Sequence, residues 1–81
     1  MQIDKFIQLI RQGFDVSFNY KDVFYTISLL SDNDGAKKYG IGSDNDFTYD
    51  FESIDDIPSF VLDGETISSI VEKLSEEEIY Y

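Results

Sequence analysis

Between Phe14 and Leu29 the apolar residues change parity. Phe14, Val16, Phe18 and Tyr20 alternate with Asp15, Ser17 and Asn19, whereas beyond Lys21-Asp22 the apolar positions are Val23, Tyr25, Ile27 and Leu29. A period of two places each set on one face of a strand. An antiparallel hairpin with a two-residue turn joins even positions to odd ones, so the parity switch is what such a hairpin requires. A turn at Lys21-Asp22 pairs Tyr20 with Val23, Phe18 with Tyr25, Val16 with Ile27 and Phe14 with Leu29, all on the same side. A slip of one residue would send one set to solvent. Lys-Asp is a poor type I′ sequence beside Asn-Gly, so the faces specify this register more than the turn does.

A second hairpin follows. In a three-residue loop Asn33-Asp34-Gly35, Gly35 takes the left-handed position of a type I turn with a G1 bulge. That register sets Leu29 opposite Tyr39 and Ile27 opposite Ile41. After a polar loop from Gly42 to Asp46, the segment Phe47-Thr48-Tyr49-Asp50-Phe51 reads as a short edge strand, with Ile41 facing Phe47 and Tyr39 facing Tyr49. Its acidic neighbours discourage edge-to-edge association.

Helical spacing brackets these strands. Ile3, Phe6, Ile7 and Ile10 recur at i, i+3, i+4, i+7, widened by Leu9, and predict a helix over about residues 2–12. Asp4 in its first turn and Arg11 in its last suit the helix dipole, and Gly13 is a natural C′ residue. Ser53-Ile54-Asp55-Asp56 reads as a capping box with Asp in place of Glu, and Pro58 keeps that element short. Asp63 is the expected N-cap of a last helix whose core stripe is Ile67, Ile70, Val71 and Leu74. Glu76, Glu77 and Glu78 then crowd its C-terminal end, where the dipole and mutual repulsion oppose them, so that end is expected to fray unless a partner neutralises it. The fold class is α+β: a single domain over residues 1–81, in the order α-β-β-β-(β)-α-α, with helices packed on one face of an antiparallel sheet.

Composition bounds the function. The chain of 81 residues has no His, Cys or Trp, so disulfides, thiol nucleophiles, imidazole bases and zinc fingers are excluded. A hydrophobic content of 42% still specifies a core and argues against disorder. No apolar run approaches the roughly 20 residues of a membrane span, and the first residues carry no basic-then-apolar secretory signal. The expectation is a soluble, cytoplasmic protein. Its net charge of −11 opposes direct binding to nucleic acid or anionic membranes. All of that charge belongs to the second half: residues 1–43 hold five acids and five bases, residues 44–81 twelve acids and one base, Lys73.

The motifs point away from catalysis, metals and cofactors. Aligning Gly35 of Asp32-Asn33-Asp34-Gly35 with the glycine of an EF-hand loop puts Leu30 and Ile41 where carboxylates are needed. Ser43-Asp44-Asn45-Asp46 offers oxygen ligands without a glycine pivot. Tyr39-Gly40-Ile41-Gly42 lacks the third glycine and the helix of a dinucleotide site, and Gly40 on the outer face more simply permits a bulge or a close approach. Asp55-Asp56 and Glu76 to Glu78 are adjacent acids, which do not face each other on a helix. Tyr20, Tyr25, Tyr39 and Tyr49 face inward in the expected registers. Tyr80 and Tyr81, after the glutamates, are either a frayed tail or a binding anchor.

The order of elements, the short length and the acidity resemble small phage-encoded inhibitors, in particular some type II-A anti-CRISPR proteins. Phe18-Asn19-Tyr20-Lys21 and Asp63-Gly64-Glu65-Thr66-Ile67 are similar to pieces of small proteins from Gram-positive bacteria and their mobile elements. The resemblance implies a protein that covers a basic nucleic-acid-binding surface with carboxylates standing in for phosphates; it assigns no individual residue. The charge split leads to the same class independently: a non-enzymatic binding protein whose acidic half docks on a basic protein surface. The expected contact residues are Asp44, Asp46, Asp50, Glu52, Asp55, Asp56, Glu76, Glu77, Glu78, Tyr80 and Tyr81. The alternative is a self-associating or scaffold domain that uses the outer sheet face or the Ile79-Tyr80-Tyr81 tail.

Overall fold

The computed structural model describes residues 1–33 and 35–81. Its central hairpin has the register that the parity switch predicts: Val16–Tyr20 (β1) and Val23–Asn33 (β2) pair Val16 with Ile27, Phe18 with Tyr25 and Tyr20 with Val23. Lys21 and Asp22 form the turn at φ +49 and +65, the left-handed pair of a type I′ turn built without glycine. The predicted Phe14–Leu29 pair does not form. Helix Ile3–Arg11 (α1) ends in a Schellman motif, with the Gly13 N–H donating to the Ile10 carbonyl and the Phe14 N–H to that of Leu9. That closure commits Phe14 to the helix end and starts the strand at Val16.

β2 continues into Ala36–Ser43 (β3), with Ile27 against Ile41 and Leu29 against Tyr39 as expected. The extra residue sits elsewhere than predicted. The ladder shifts between Leu29 and Ser31 and runs on to Asn33 opposite Ala36, so Leu30 is the bulge. Gly40 makes this possible, because a Cβ there would lie 2.6 Å from Leu30 Cδ1. The Asn33-Asp34-Gly35 turn itself centres on Asp34, which lies outside the described residues. The three-residue loop appears one connection later, at Asp44-Asn45-Asp46: the Ser43 N–H donates to the Phe47 carbonyl at 2.9 Å, and Asp46 takes φ +69. Thr48–Phe51 (β4) therefore pairs Ile41 with Tyr49 and Tyr39 with Phe51. This is two residues away from the predicted register, which preserves the face.

After β4 the chain crosses to the helix side. Ile54–Asp56 is a single 3₁₀ turn, capped by the Ser53 hydroxyl accepting from the Asp55 N–H. Val61–Leu62 (β5) and Glu65–Thr66 (β6) form a small separate hairpin around Asp63-Gly64, at φ +46 and +90. Asp-Gly is the preferred type I′ pair, so Asp63 is a turn residue and not the predicted N-cap. Thr66 takes that place, its hydroxyl accepting from the Ser69 N–H ahead of helix Ile67–Lys73 (α2).

The C-terminal segment departs most from expectation. α2 stops at Lys73, and Glu76–Glu78 start a separate 3₁₀ turn at Ser75. Its acids therefore lie at an N-terminal end, which favours them. Ile79–Tyr80 (β7) then pairs with β1, Phe18 opposite Ile79 and Ser17 opposite Tyr80. The sheet has five strands in the order β4-β3-β2-β1-β7, all neighbours antiparallel.

Both helices cover one face of this sheet. Phe6 and Ile10 of α1 and Ile67, Ile70 and Val71 of α2 are buried with Val16, Phe18, Ile27, Ile41 and Phe51. Phe18 stands edge-on to Phe6 at 6.0 Å between ring centres and stacks on Tyr25 at 5.7 Å. Among the described residues no polar or charged side chain is buried, and no helix is long and apolar enough to cross a membrane.

Ile79, only 4% exposed, distinguishes a docked strand from a frayed tail. Ile79→Ala should cost about 2–4 kcal/mol in chemical denaturation, as for other buried aliphatic truncations. A frayed end would register within about 0.5 kcal/mol.

Candidate partner-binding surface

The strand order separates residues that are close in sequence. β4 and β7 are opposite edges of the sheet, four strand spacings or roughly 19 Å apart. Asp44, Asp46, Asp50 and Glu52 belong to the β4 side, whereas Glu76, Glu77, Glu78, Tyr80 and Tyr81 belong to the β7 side. The predicted set is therefore not one contiguous surface.

Several of its members carry structural bonds. Asp44 holds the β3–β4 loop against β2: its carboxylate accepts from the Phe24 N–H at 3.2 Å, and its own N–H donates to the Phe24 carbonyl at 3.1 Å. Asp50, on the outer sheet face, pairs with Lys38 at 3.3 Å. Glu76 pairs with Lys5. The Glu78 carboxylate accepts from the Ser75 N–H at 3.0 Å, and that bond holds it below the usual carboxylate range. Tyr80 lies on the outer face with its ring centre 6.0 Å from Phe24, and Tyr81 meets Phe14 edge-on at 6.0 Å. The glutamate run thus needs no partner to be stable at its position.

The helix side gathers carboxylates from both halves of the chain. One open depression is lined by Asp4, Lys5, Glu72 and Glu76, and a neighbouring one by Asp4, Arg11 and Asp55. Asp4 belongs to both, so Asp4 of α1 and Glu72 of α2 form a band with Asp55 and Glu76 of the two 3₁₀ turns. Asp4 and Glu72 are absent from the predicted set. Asp4 falls in the charge-neutral half and Glu72 lies opposite the apolar stripe of α2; the two are legible as parts of one surface only once the helices are known to lie side by side. Lys5 and Arg11 are the cations of this band, and Arg11 makes no ion pair among the described residues.

Of the twelve acids after Ser43, Asp50, Asp63, Glu65 and Glu76 form ion pairs among the described residues. Asp46, Glu52, Asp55, Asp56, Glu72 and Glu77 are exposed and make none there. No three acidic groups among the described residues converge to hold a metal ion.

Among the described residues, Glu65 is the carboxylate with the most side-chain bonds. It pairs with Lys73, accepts from the Ser69 hydroxyl at 2.7 Å and accepts from the Tyr20 hydroxyl at 3.0 Å. These contacts tie the end of β1 to the β5–β6 hairpin and α2. They lower its pKa from the ordinary 4.5 to about 2, the Lys73 ammonium first. A comparison with protein-family models, curated proteins and solved structures found no match to this chain.

The Glu65 contacts favour the ionised carboxylate in the folded state. Their stabilisation is complete above pH 4.5 and is lost as the pH falls toward about 2. Glu65→Gln should lower the melting temperature at neutral pH, and the gap to the parent protein should close across that window. A gap that stays constant would separate the network from the charge of Glu65.

Proposed function

We propose that this chain is a non-enzymatic cytoplasmic binding protein that docks an acidic surface on a basic surface of a partner protein, of the kind that holds nucleic acid. One observation carries the proposal: exposed carboxylates without an ion pair among the described residues concentrate after Ser43, and the fold joins two of them, Asp55 and Glu72, to Asp4 on the helix side. Asp46, Glu52, Asp55, Asp56, Glu72 and Glu77 are left uncompensated among the described residues, which leaves them available to a partner. In the inhibitory form of this reading, the carboxylates occupy the place of backbone phosphates.

A second reading, self-association, is favoured by the outer face of the sheet. That face is uncovered and carries Phe24, Leu30 and Tyr80 around uncharged Ser17, Thr26, Ser28, Gly40 and Gly42. Two copies at −11 each repel, and least when this face meets, since its Asp50 is paired with Lys38.

The test is association kinetics with basic nucleic-acid-binding proteins at low and high salt. The association rate should fall steeply with salt, and the combined change Asp4→Asn, Asp55→Asn, Glu72→Gln and Glu76→Gln should lower it about tenfold or more at low salt. Rates indifferent to both salt and the substitutions, or a concentration-dependent dimer that binds no basic protein, would overturn the proposal.

A further inference from the structure

The two edges of the sheet are built differently. One ends in β7, two residues long. The other ends in β4, whose outer side has no strand partner among the described residues. The Ser43–Phe47 hydrogen bond fixes the alternation along β4. Tyr49 and Phe51 exchange hydrogen bonds with β3, so Thr48 and Asp50 turn their N–H and C=O groups outward. Neither outward N–H has another partner among the described residues. The edge offers two donors and two acceptors in strand geometry.

An apolar shelf lies beside this edge on the helix side. Tyr49 is predicted to face the core, yet it is 47% exposed, because among the described residues no strand lies beyond the edge strand. Its ring centre is 4.5 Å from that of Phe60, and Phe47, 39% exposed, is 6.4 Å from Phe60. Val61, which follows Phe60, is 57% exposed. A strand laid along β4 would place alternate side chains on this shelf and the others on the outer face beside Asp50.

Charge selects what can lie there. Asp46, Asp50 and Glu52 run along the edge, and Lys38 answers only Asp50. A second copy pairing through its own β4 would bring these carboxylates against their equals, which is how natural edges resist self-pairing. A segment bearing lysine or arginine gains from the same field.

We propose that the β4 edge is a strand-addition site for an extended segment of a partner protein, with alternating apolar and basic residues. The shelf sets the alternation, and the backbone groups of Thr48 and Asp50 set the register. The basic character of the partner rests on the function proposed above; the strand-addition geometry does not.

The probe is a short peptide of alternating lysine and valine, titrated into the intact protein and followed by amide resonances and hydrogen exchange. The Thr48 and Asp50 amides should gain protection, and shifts should concentrate on Phe47 to Glu52, Phe60 and Val61. Thr48→Pro removes one outward N–H while sparing the bonds to β3, and should weaken the peptide by about tenfold or more, the loss of over one hydrogen bond. The amide measurement on the parent protein stands even where that variant folds poorly. Shifts confined to Asp4, Asp55, Glu72 and Glu76 without protection at Thr48 and Asp50 would overturn the edge site and leave the electrostatic function intact. Equal binding of a glutamate–valine peptide at the edge would overturn the basic partner, and with it that function.

Discussion

The register Val16–Ile27, Phe18–Tyr25, Tyr20–Val23 decides which face of the sheet is apolar, and every later element is placed by that face. Phe18 sits at its centre, between Tyr25 on the neighbouring strand, Ile79 across the other side and Phe6 of α1 above. A slip of one residue in this register would send one strand's set to solvent, exposing Phe18 and putting Ser17 under the helices, or doing the same to Ile27 and Thr26, and the helix stripes would lose half of that apolar surface. The Lys21-Asp22 turn contributes little by its own chemistry. Its strained positions are held by the Lys21–Asp63 ion pair at 3.4 Å and a bond from the Lys21 ammonium to the Asp63 carbonyl at 3.0 Å. The central turn and the small β5–β6 hairpin therefore support each other.

The same one-sidedness governs the charge. A sheet buried on one face leaves its outer face and its edges to solvent, and the short elements after β4 cross the helix side with exposed acids between isolated apolar anchors such as Ile57, Leu62 and Ile67. The anchors are spaced too widely to shield the acids between them. Net charge of this size opposes compaction. The fold limits that cost by distributing the carboxylates over two sheet edges and a helix band. It also gives several of them local donors: the Phe24 N–H for Asp44, the Ser75 N–H for Glu78 and the Lys73–Ser69–Tyr20 set for Glu65.

Legibility in the sequence followed the length of each pattern. α1 and the β1–β2–β3 meander repeat their period over several residues, and their faces, most pairings and the Gly13 closure were readable. Two-residue strands carry no period. Asp63-Gly64 is a strong hairpin signal, but Val61-Leu62 and Glu65-Thr66 are too short to show alternation, so Asp63 read as a cap. β7 is invisible for the same reason, since Ile79 is a single buried residue after three glutamates. The Leu30 bulge depends on a glycine across the ladder, a relation that only the paired strands reveal. For the candidate site, the exposure of the carboxylates was readable from composition. Their division between β4 and β7, and the entry of Asp4 and Glu72, required the strand order and the helix pairing.

The β4 edge shows why an open strand is compatible with an acidic chain. Opposite Thr48 and Asp50 stand Gly42 and Gly40, which offer no side chains on the outer face. β4 is held instead from its inner face, where Phe51 is buried and Tyr49 and Phe60 pack together. Its outward residues thus contribute little to the strand's own attachment and are free to vary in chemistry. Carboxylates at and beside them repel a second copy by the same field that would attract a cationic strand in the docking proposed above. Under that proposal, protection against self-pairing and selection of a partner are one property of one set of side chains, and neither requires the edge to be covered.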